Sequence, residues 1–462
     1  MPKQKHILFL VPDGVGIKNY LYSDLIKHIK EDAIVTIWST LPLEAFDDVK
    51  GIHDIDFNYK QIQLSPENSL TRLYREATTY ARLIHNSKLK ENPTILTNWR
   101  RPNYSFKVKV LYKFAEILGK FLSKNYSRIL NFEKKSIEKI SQGAIKNYKK
   151  ELQELKPTTI FITHQRVAGL MPICLAAKQN NIKTVTAIFS WDNLPKARLA
   201  VKTDDYYVWS KWMKQEMKDY YPEIPEDNVI LVGTPQFEFY LDQNRFITRE
   251  DFAKTHGLDT KKKWLCFSGD DIATSPYDQL FLEDVAESLN SKKDDLQIIF
   301  RRCPVDFSSR YDEVLNRFND LIVPIDPIWN VQSETGWVGY FPKFNDISMQ
   351  VNLSYHCSLV INLGSTMALD FATFNKPCLY LNYNPSNDNN WSTKIIYNFQ
   401  HFRSMNGLNA VGWINDKASI LEVVNNALNH PETIAPERKK WMEILVQHPI
   451  DQNARLIAKS LF

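Results

Sequence analysis

Nowhere in the sequence does an apolar run approach the roughly 20 residues that a membrane-spanning helix needs. The N-terminal run His6 to Val11 is only strand-length and ends in Pro12-Asp13-Gly14, without the cleavage site of a signal peptide. The chain is therefore expected in the cytoplasm, at most peripheral at the inner face of the cell membrane. Cysteine is scarce: Cys174, Cys266, Cys303, Cys357 and Cys378 are odd in number, widely spaced and without a Cys-x-x-Cys pair. This pattern excludes a disulfide framework and reads as buried thiols in a reducing compartment. There is no His-x-x-x-His and no zinc-type Cys/His spacing, so no catalytic metal is expected. No Gly-x-Gly-x-x-Gly follows a strand, which argues against a dinucleotide oxidoreductase. Internal repeats and low-complexity segments are absent too.

What is present is an ordinary globular composition, 44% hydrophobic and 24% charged, over 462 residues. That length exceeds what one hydrophobic core commonly supports, so two domains are expected. Short apolar runs alternate with helical patterns: HILFLV, AIVTIW (33–38), TTIFIT (158–163), TVTAIF (184–189), DYYVWS (205–210), then NVILVG (228–233). This alternation predicts βα units around a parallel sheet buried on both faces. Residues 1–241 form the expected first domain, the polar stretch 242–262 a linker, and 263–462 a second α/β domain closed by C-terminal helices. Strands of the second domain are expected at KWLCFS (263–268), LQIIF (296–300), LIVPI (321–325), WVGYF (337–341), SLVINL (358–363) and CLYLN (378–382).

Charge is unevenly spread. Between Arg101 and Lys150 stand thirteen Lys or Arg against three Glu, within a chain whose net charge is only +5. Interleaved with Tyr112, Phe114, Leu118, Phe121, Leu122, Tyr126, Ile129 and Leu130, this segment suits an amphipathic helix on anionic lipid headgroups. A solvated helical face is the plain alternative.

The segment 358–382, SLVINLGSTMALDFATFNKPCLYLN, carries the most chemistry. A strand ends at Leu363, Gly364 permits a tight turn, and Ser365 and Thr366 open a helix whose free N–H groups suit a pyrophosphate. Asp370, one turn on, can accept bonds from ribose hydroxyls. A bare helix N-cap would look the same.

This segment resembles the nucleotide-binding stretch of the GT-B superfamily: sugar-nucleotide glycosyltransferases, non-hydrolysing UDP-N-acetylglucosamine 2-epimerases and CDP-glycerol glycerophosphotransferases. The matching residues are the strand INL, the turn Gly364-Ser365-Thr366, the acidic Asp370, and Lys376-Pro377 before the next strand. FSWDNLPKARLAVKTDDYYVWSKWMKQEM (189–217) and VILVGTPQFEFY (229–240) are similar to the end of the first domain in surface-polysaccharide enzymes of that superfamily. The resemblance implies two facing Rossmann-like domains with parallel sheets and a central cleft. It implies a glycosyltransferase that needs no cofactor, moving a sugar from a nucleotide-sugar donor to a glycan or lipid-linked acceptor, with no nucleic-acid partner. A glycerophosphotransferase, an epimerase or a nucleotide-sugar-binding module on the same fold are the alternatives. Where many retaining members carry Glu-x7-Glu, this chain has Asn362 and Asp370, which tilts the expectation towards inversion.

An inverting transferase needs a base for the acceptor hydroxyl and positive charge for the leaving diphosphate. Base candidates follow first-domain strands: Asp13 in PDGVG, His164 ending TTIFITH, and Asp192 in SWDN. Each has a structural alternative, as turn former, hydrogen-bonded histidine or Asx-turn. For the diphosphate, Ser268-Gly269 and Arg301-Arg302 follow the first two strands of the second domain, with Lys343 after WVGYF; guanidinium forks match phosphate oxygens. Asp54-Ile55-Asp56 has the Asp-x-Asp form of metal-dependent transferases but no strand before it.

Overall fold

The computed structural model describes residues 4–101, 105–331, 340–388 and 390–462. Strand β1 (Lys5–Val11) is buried in all but its first residue, as an apolar run without alternation requires when both faces of a sheet are covered. It is joined by β2 (Ala33–Ser39), β3 (Asn58–Gln61), β4 (Thr159–Ile162), β5 (Lys183–Ala187), β6 (Asp205–Val208) and β7 (Val229–Leu231). Their order is β3-β2-β1-β4-β5-β6-β7, every pair parallel. The second sheet runs β10-β9-β8-β13-β14-β15, again wholly parallel. Its members are β8 (Lys263–Ser268), β9 (Leu296–Arg301), β10 (Ile322–Pro324), β13 (Leu359–Asn362), β14 (Cys378–Leu381) and β15 (Gly412–Ile414).

Two sequence expectations change here. WVGYF is not a strand of the parallel sheet: β12 (Tyr340–Pro342) pairs antiparallel with β11 (Trp329–Val331), and residues 337–339 lie outside the described residues. Strands β3 and β15 have no counterpart in the sequence reading. β3 is a half-exposed edge strand of sequence NYKQ, so no apolar run marks it.

The chain divides into two compact units, one of Met1–Pro235, Phe399–His401 and Leu445–Phe462, the other of Gln236–Asn398 and Phe402–Ile444. The boundary therefore lies ahead of residue 241, and the expected linker 242–262 is part of the second unit. It contains a helix, Arg249–His256. Its charges misled because Arg249 lies 3.4 Å over the Trp264 ring and donates to the carbonyls of Lys262 and His356. The final helix, Asn453–Leu461, belongs with the first unit, where the Leu461 carbonyl accepts from Thr159 on β4.

Between β3 and β4 the chain makes helices Ser69–Leu89, Phe106–Leu122, Tyr126–Glu138 and Gln142–Leu155. The expected single amphipathic helix over 101–150 is thus several. Their buried seam is Ala77, Ala81, Ala115, Leu122 and Ile129. They are tied to one another and to the end of helix Lys211–Tyr220 by Arg82, only 1% exposed. Its guanidinium bonds Glu133, Glu223, the Tyr126 hydroxyl and the Tyr220 carbonyl. Burial alone would raise the Glu133 carboxyl, but Lys202 and Arg82 hold it at about 2.

Replacing Arg82 with Ala leaves two carboxylates without their buried counter-charge and is expected to cost about 3–5 kcal/mol, read as a lower denaturation midpoint. Because the folded Glu133 value lies below its ordinary 4.5, its contribution is complete above about pH 4.5 and is lost as pH falls towards 2. The gap between wild type and variant should narrow over that window.

Candidate functional site

In a parallel sheet the strand order reverses where the chain turns to build in the other direction, and the loops leaving the two central strands diverge. In the first unit that place lies between β1 and β4, whose carboxyl ends carry Asp13 and His164. Gly16 makes the close approach possible: a Cβ there would sit 2.3 Å from the Thr163 hydroxyl oxygen. Asp13 uses Oδ1 to cap the following turn, accepting from the Val15 and Gly16 amides, each at 3.2 Å. Its Oδ2 lies 2.5 Å from His164 Nδ1. Asp13 is thus a turn former through one oxygen, and its other oxygen meets the imidazole.

His164 is stacked on Phe189, ring centroids 4.1 Å apart and 14° from parallel. With Nδ1–H directed to Asp13, the lone pair resides on Nε2, which is buried and has no hydrogen-bond partner among the described residues. An oriented imidazole with a carboxylate behind it and an open nitrogen in front is the arrangement of a general base. Asp192 is differently employed: it pairs with Lys196 and accepts from Asn193 at 2.8 Å. Burial would raise its carboxyl, yet Lys196 and His401 hold it well below the usual carboxylate range, which makes it a poor proton acceptor at neutral pH.

In the second unit the reversal lies between β8 and β13, and the loops leaving them hold Ser268-Gly269 and Gly364-Ser365-Thr366. Gly364 has φ +78°, and a Cβ on it would meet Phe402 Cζ at 2.7 Å. The Ser365 amide donates to Asn362 Oδ1 at 2.8 Å, so Asn362, wholly buried, braces the turn. The helix that follows, Met367–Thr373, is short, and Thr366 at its start makes no side-chain cap. Asp370 is 6% exposed and accepts from Gln350 at 3.1 Å. Tyr240 also bonds it. Ser268 is buried, and the Gly269 amide donates to the Arg301 carbonyl at 2.8 Å.

The cations of this unit divide. Arg301 Nη2 is bound to buried Asp346 at 2.7 Å, while Nη1 has no hydrogen-bond partner among the described residues. Arg302 donates to the Ser308 carbonyl and packs against Tyr311. Lys343 precedes the helix Phe344–His356, its amine 6.0 Å from the Phe341 ring centroid. Asp270 and Asp278, which the sequence reading passed over, lie beside Gly269. Burial pushes both carboxyls up, Asp278 adding to Asp270's rise. Among the described residues no group of three or more His, Cys, Asp or Glu is placed to hold a metal.

Residues 66–235 match the family model described as monogalactosyldiacylglycerol (MGDG) synthase. No curated protein matches the sequence. Among solved structures the chain is similar to the UDP-GlcNAc 2-epimerase of Neisseria meningitidis bound to UDP-GlcNAc, with TM-score 0.57 and 12% identity over 99% of each chain. The UDP-GlcNAc 2-epimerase of Methanocaldococcus jannaschii gives TM-score 0.54 and 11% identity over 99% of each chain. A glycosyltransferase of Rickettsia africae gives 0.51 and 11% over 99% of this chain and 97% of that one. The fold is GT-B-like. The matched family segment spans the helices between β3 and β4 and includes His164 and Asp192, while Asp13 lies ahead of it. On the GT-B-like scaffold both strand-order reversals thus carry residues that the sequence had singled out.

Gly364→Ala should destabilise the protein by about 1–3 kcal/mol through left-handed backbone strain and the enforced shift of Phe402. Calorimetry reads this as a lowered melting temperature, and an unchanged one would mean that the turn can relax.

Proposed function

We propose that the protein is a metal-independent glycosyltransferase that takes its nucleotide-sugar donor at the reversal of the second sheet and deprotonates its acceptor with His164, inverting the anomeric centre. The observation that carries this reading is the His164–Asp13 pair with its open Nε2. The acceptor hydroxyl gives its proton to Nε2 while its oxygen bonds the anomeric carbon. The bond from that carbon to the diphosphate breaks, and nucleoside diphosphate leaves. Asp13 stabilises the imidazolium that forms. Buried Asn362, in place of a carboxylate, fits direct displacement. The Neisseria structure, bound to UDP-GlcNAc, supports a nucleotide-sugar ligand, and the family description supports a sugar acceptor carried on lipid. A role in surface-polysaccharide assembly is part of this reading.

The test is transfer with a panel of UDP, GDP, dTDP and CMP sugars and CDP-glycerol, alongside thermal shifts with the same ligands. A ligand at about 100 times its dissociation constant should stabilise the fold by roughly 2.7 kcal/mol. His164→Ala and Asp13→Asn are expected to lower turnover about 10²- to 10⁴-fold while the nucleotide-induced shift persists. Full turnover in both variants overturns the base assignment. Stabilisation by CDP-glycerol alone would make the enzyme a glycerophosphotransferase, and interconversion of UDP-sugars without an acceptor would make it an epimerase.

Helix Phe106–Leu122 supports a peripheral membrane contact. Tyr112, Ala115, Gly119 and Leu122 form its buried face. Phe106, Phe114, Ile117 and Phe121, spaced to share the opposite face, are 80%, 59%, 67% and 51% exposed. Lys107, Lys109, Lys113, Lys120 and Lys124 flank that stripe. Of the aromatics expected at the membrane, Tyr112 is buried and Tyr126 is engaged with Arg82, which leaves Phe114 and Phe121. Co-sedimentation with phosphatidylglycerol vesicles is expected to fall steeply with salt and to fall at constant salt in Phe114→Ser/Phe121→Ser. Binding that ignores both changes removes the helix from the contact.

A further inference from the structure

The first unit holds a cavity that no part of the donor reading uses. It is lined by helix Ser69–Leu89, by helix Tyr126–Glu138, by the loop after β4 and by residues 197–202. Its volume, about 130 Å³, is close to that of a cavity that accepts benzene, about 150 Å³. A phosphate with its flanking carbons fits such a space; a nucleotide-sugar does not. Ile137, Ile140, Met171 and Leu199 give it apolar walls.

Five cations line it, and their partners sort them. Arg75 spends its guanidinium on Glu67 and Glu76. Arg82 is consumed by Glu133, Glu223 and Tyr126. Lys202 sits 3.4 Å from Glu133 and 3.8 Å from Glu223. Arg198 reaches only Glu76, at 3.5 Å, a carboxylate that Arg75 already holds. Among the described residues Arg166 has no carboxylate within ion-pair distance, and it reaches Asn193 Oδ1 at 3.5 Å. Burial first, and then the charge of Arg198, lower the Arg166 guanidinium, with Asp192 and Asp13 opposing from a distance, so the two arginines share one positive field that those carboxylates and Glu76 offset only in part. Such a pair is a site short of an anion. Arg166 lies two residues beyond His164 on the loop after β4, so one loop carries both a wall of the cavity and the imidazole.

We propose that this cavity is the acceptor subsite and that it takes a phosphate ester, its phosphate between Arg166 and Arg198 and its hydroxyl at His164. The proposal rests on the transferase reading for the word acceptor, but not for the binding itself. A phosphate ester can be soluble or borne on lipid, and the apolar walls accommodate the first carbons of either.

Binding is measured by calorimetry on the full chain, without donor, using sn-glycerol 3-phosphate as the soluble probe and dihexanoyl phosphatidylglycerol as the lipid one, each against glycerol. Both phosphates, or one, should bind where glycerol does not, and the one that binds more tightly identifies the source. Arg166→Gln and Arg198→Gln should each weaken that binding at least about tenfold, the scale of a charge-assisted hydrogen bond, with the nucleotide-induced thermal shift intact. In the transfer assay they should raise the acceptor KM more than they lower kcat. As a measurement that needs no variant, the tighter phosphate should protect Arg166 of the wild-type chain from phenylglyoxal, read by peptide mass. Absence of phosphate binding, or binding indifferent to both substitutions and giving no protection, overturns the site. Binding that depends on the arginines in a protein without transfer activity upholds the site and sinks the transferase reading. Transfer that ignores both substitutions does the reverse.

Discussion

A parallel sheet covered on both faces leaves its chemistry one place to go. Side chains along the strands are consumed by packing, so polar groups can stand only where strands end, and neighbouring loops leave room only where the strand order reverses. The rest of this molecule follows from that constraint. β1 and β4 are adjacent in space though about 150 residues separate them in the chain, and everything between them, including the basic helices, is an excursion that returns. The return sets Thr163 against Gly16 at a distance no side chain would tolerate. That contact brings the carboxylate after one strand to the imidazole after the other.

The second constraint is electrostatic. The first unit buries Arg82 and Glu76, and a buried ion is tolerated only with a counter-ion and hydrogen bonds. Arg82 satisfies this with two carboxylates, a hydroxyl and a carbonyl, and thereby fastens the helical excursion to the end of helix Lys211–Tyr220. The same accounting, applied residue by residue, separates cations that hold the fold from cations left over. Arg75 and Arg82 belong to the first kind; Arg198 shares Glu76 with Arg75, and Arg166 is held most loosely of the four. Counting basic residues could not have made that distinction, because all four look alike in sequence.

How much the sequence disclosed follows from range. Apolar runs such as HILFLV and TTIFIT state their own burial, so most sheet strands were legible, and Asp13 and His164 were legible as groups at strand ends. Their pairing was not, since it depends on strand order. The edge strand β3 carries polar residues and gave no apolar signal. Residues 242–262 read as a linker because charge suggests solvent, whereas Arg249 spends its charge on the Trp264 ring. The aromatics after Arg101 show the same limit: spacing predicts that they share a helix, but only packing divides Tyr112 on the buried face from Phe114 on the open one.

Cations in the second unit complicate the picture of a diphosphate cradle drawn from sequence. Arg301 was expected to meet phosphate, yet its Nη2 is bound to Asp346, which also accepts from the Ile328 amide and the Trp329 indole. An arginine so fixed cannot swing to a ligand, but it can present the nitrogen that remains, and Nη1 is buried with no hydrogen-bond partner among the described residues. Preorganisation of this kind favours a charge that arrives in one place over a charge already solvated elsewhere. Beside it, burial pushes the carboxyls of Asp270 and Asp278 up, the charge of Asp278 adding to the rise of Asp270. Asp278 is also engaged inside the fold, accepting from Ser275, Tyr311 and the Asp270 amide, so the turn beside it keeps its amides for an incoming charge only where that network leaves room.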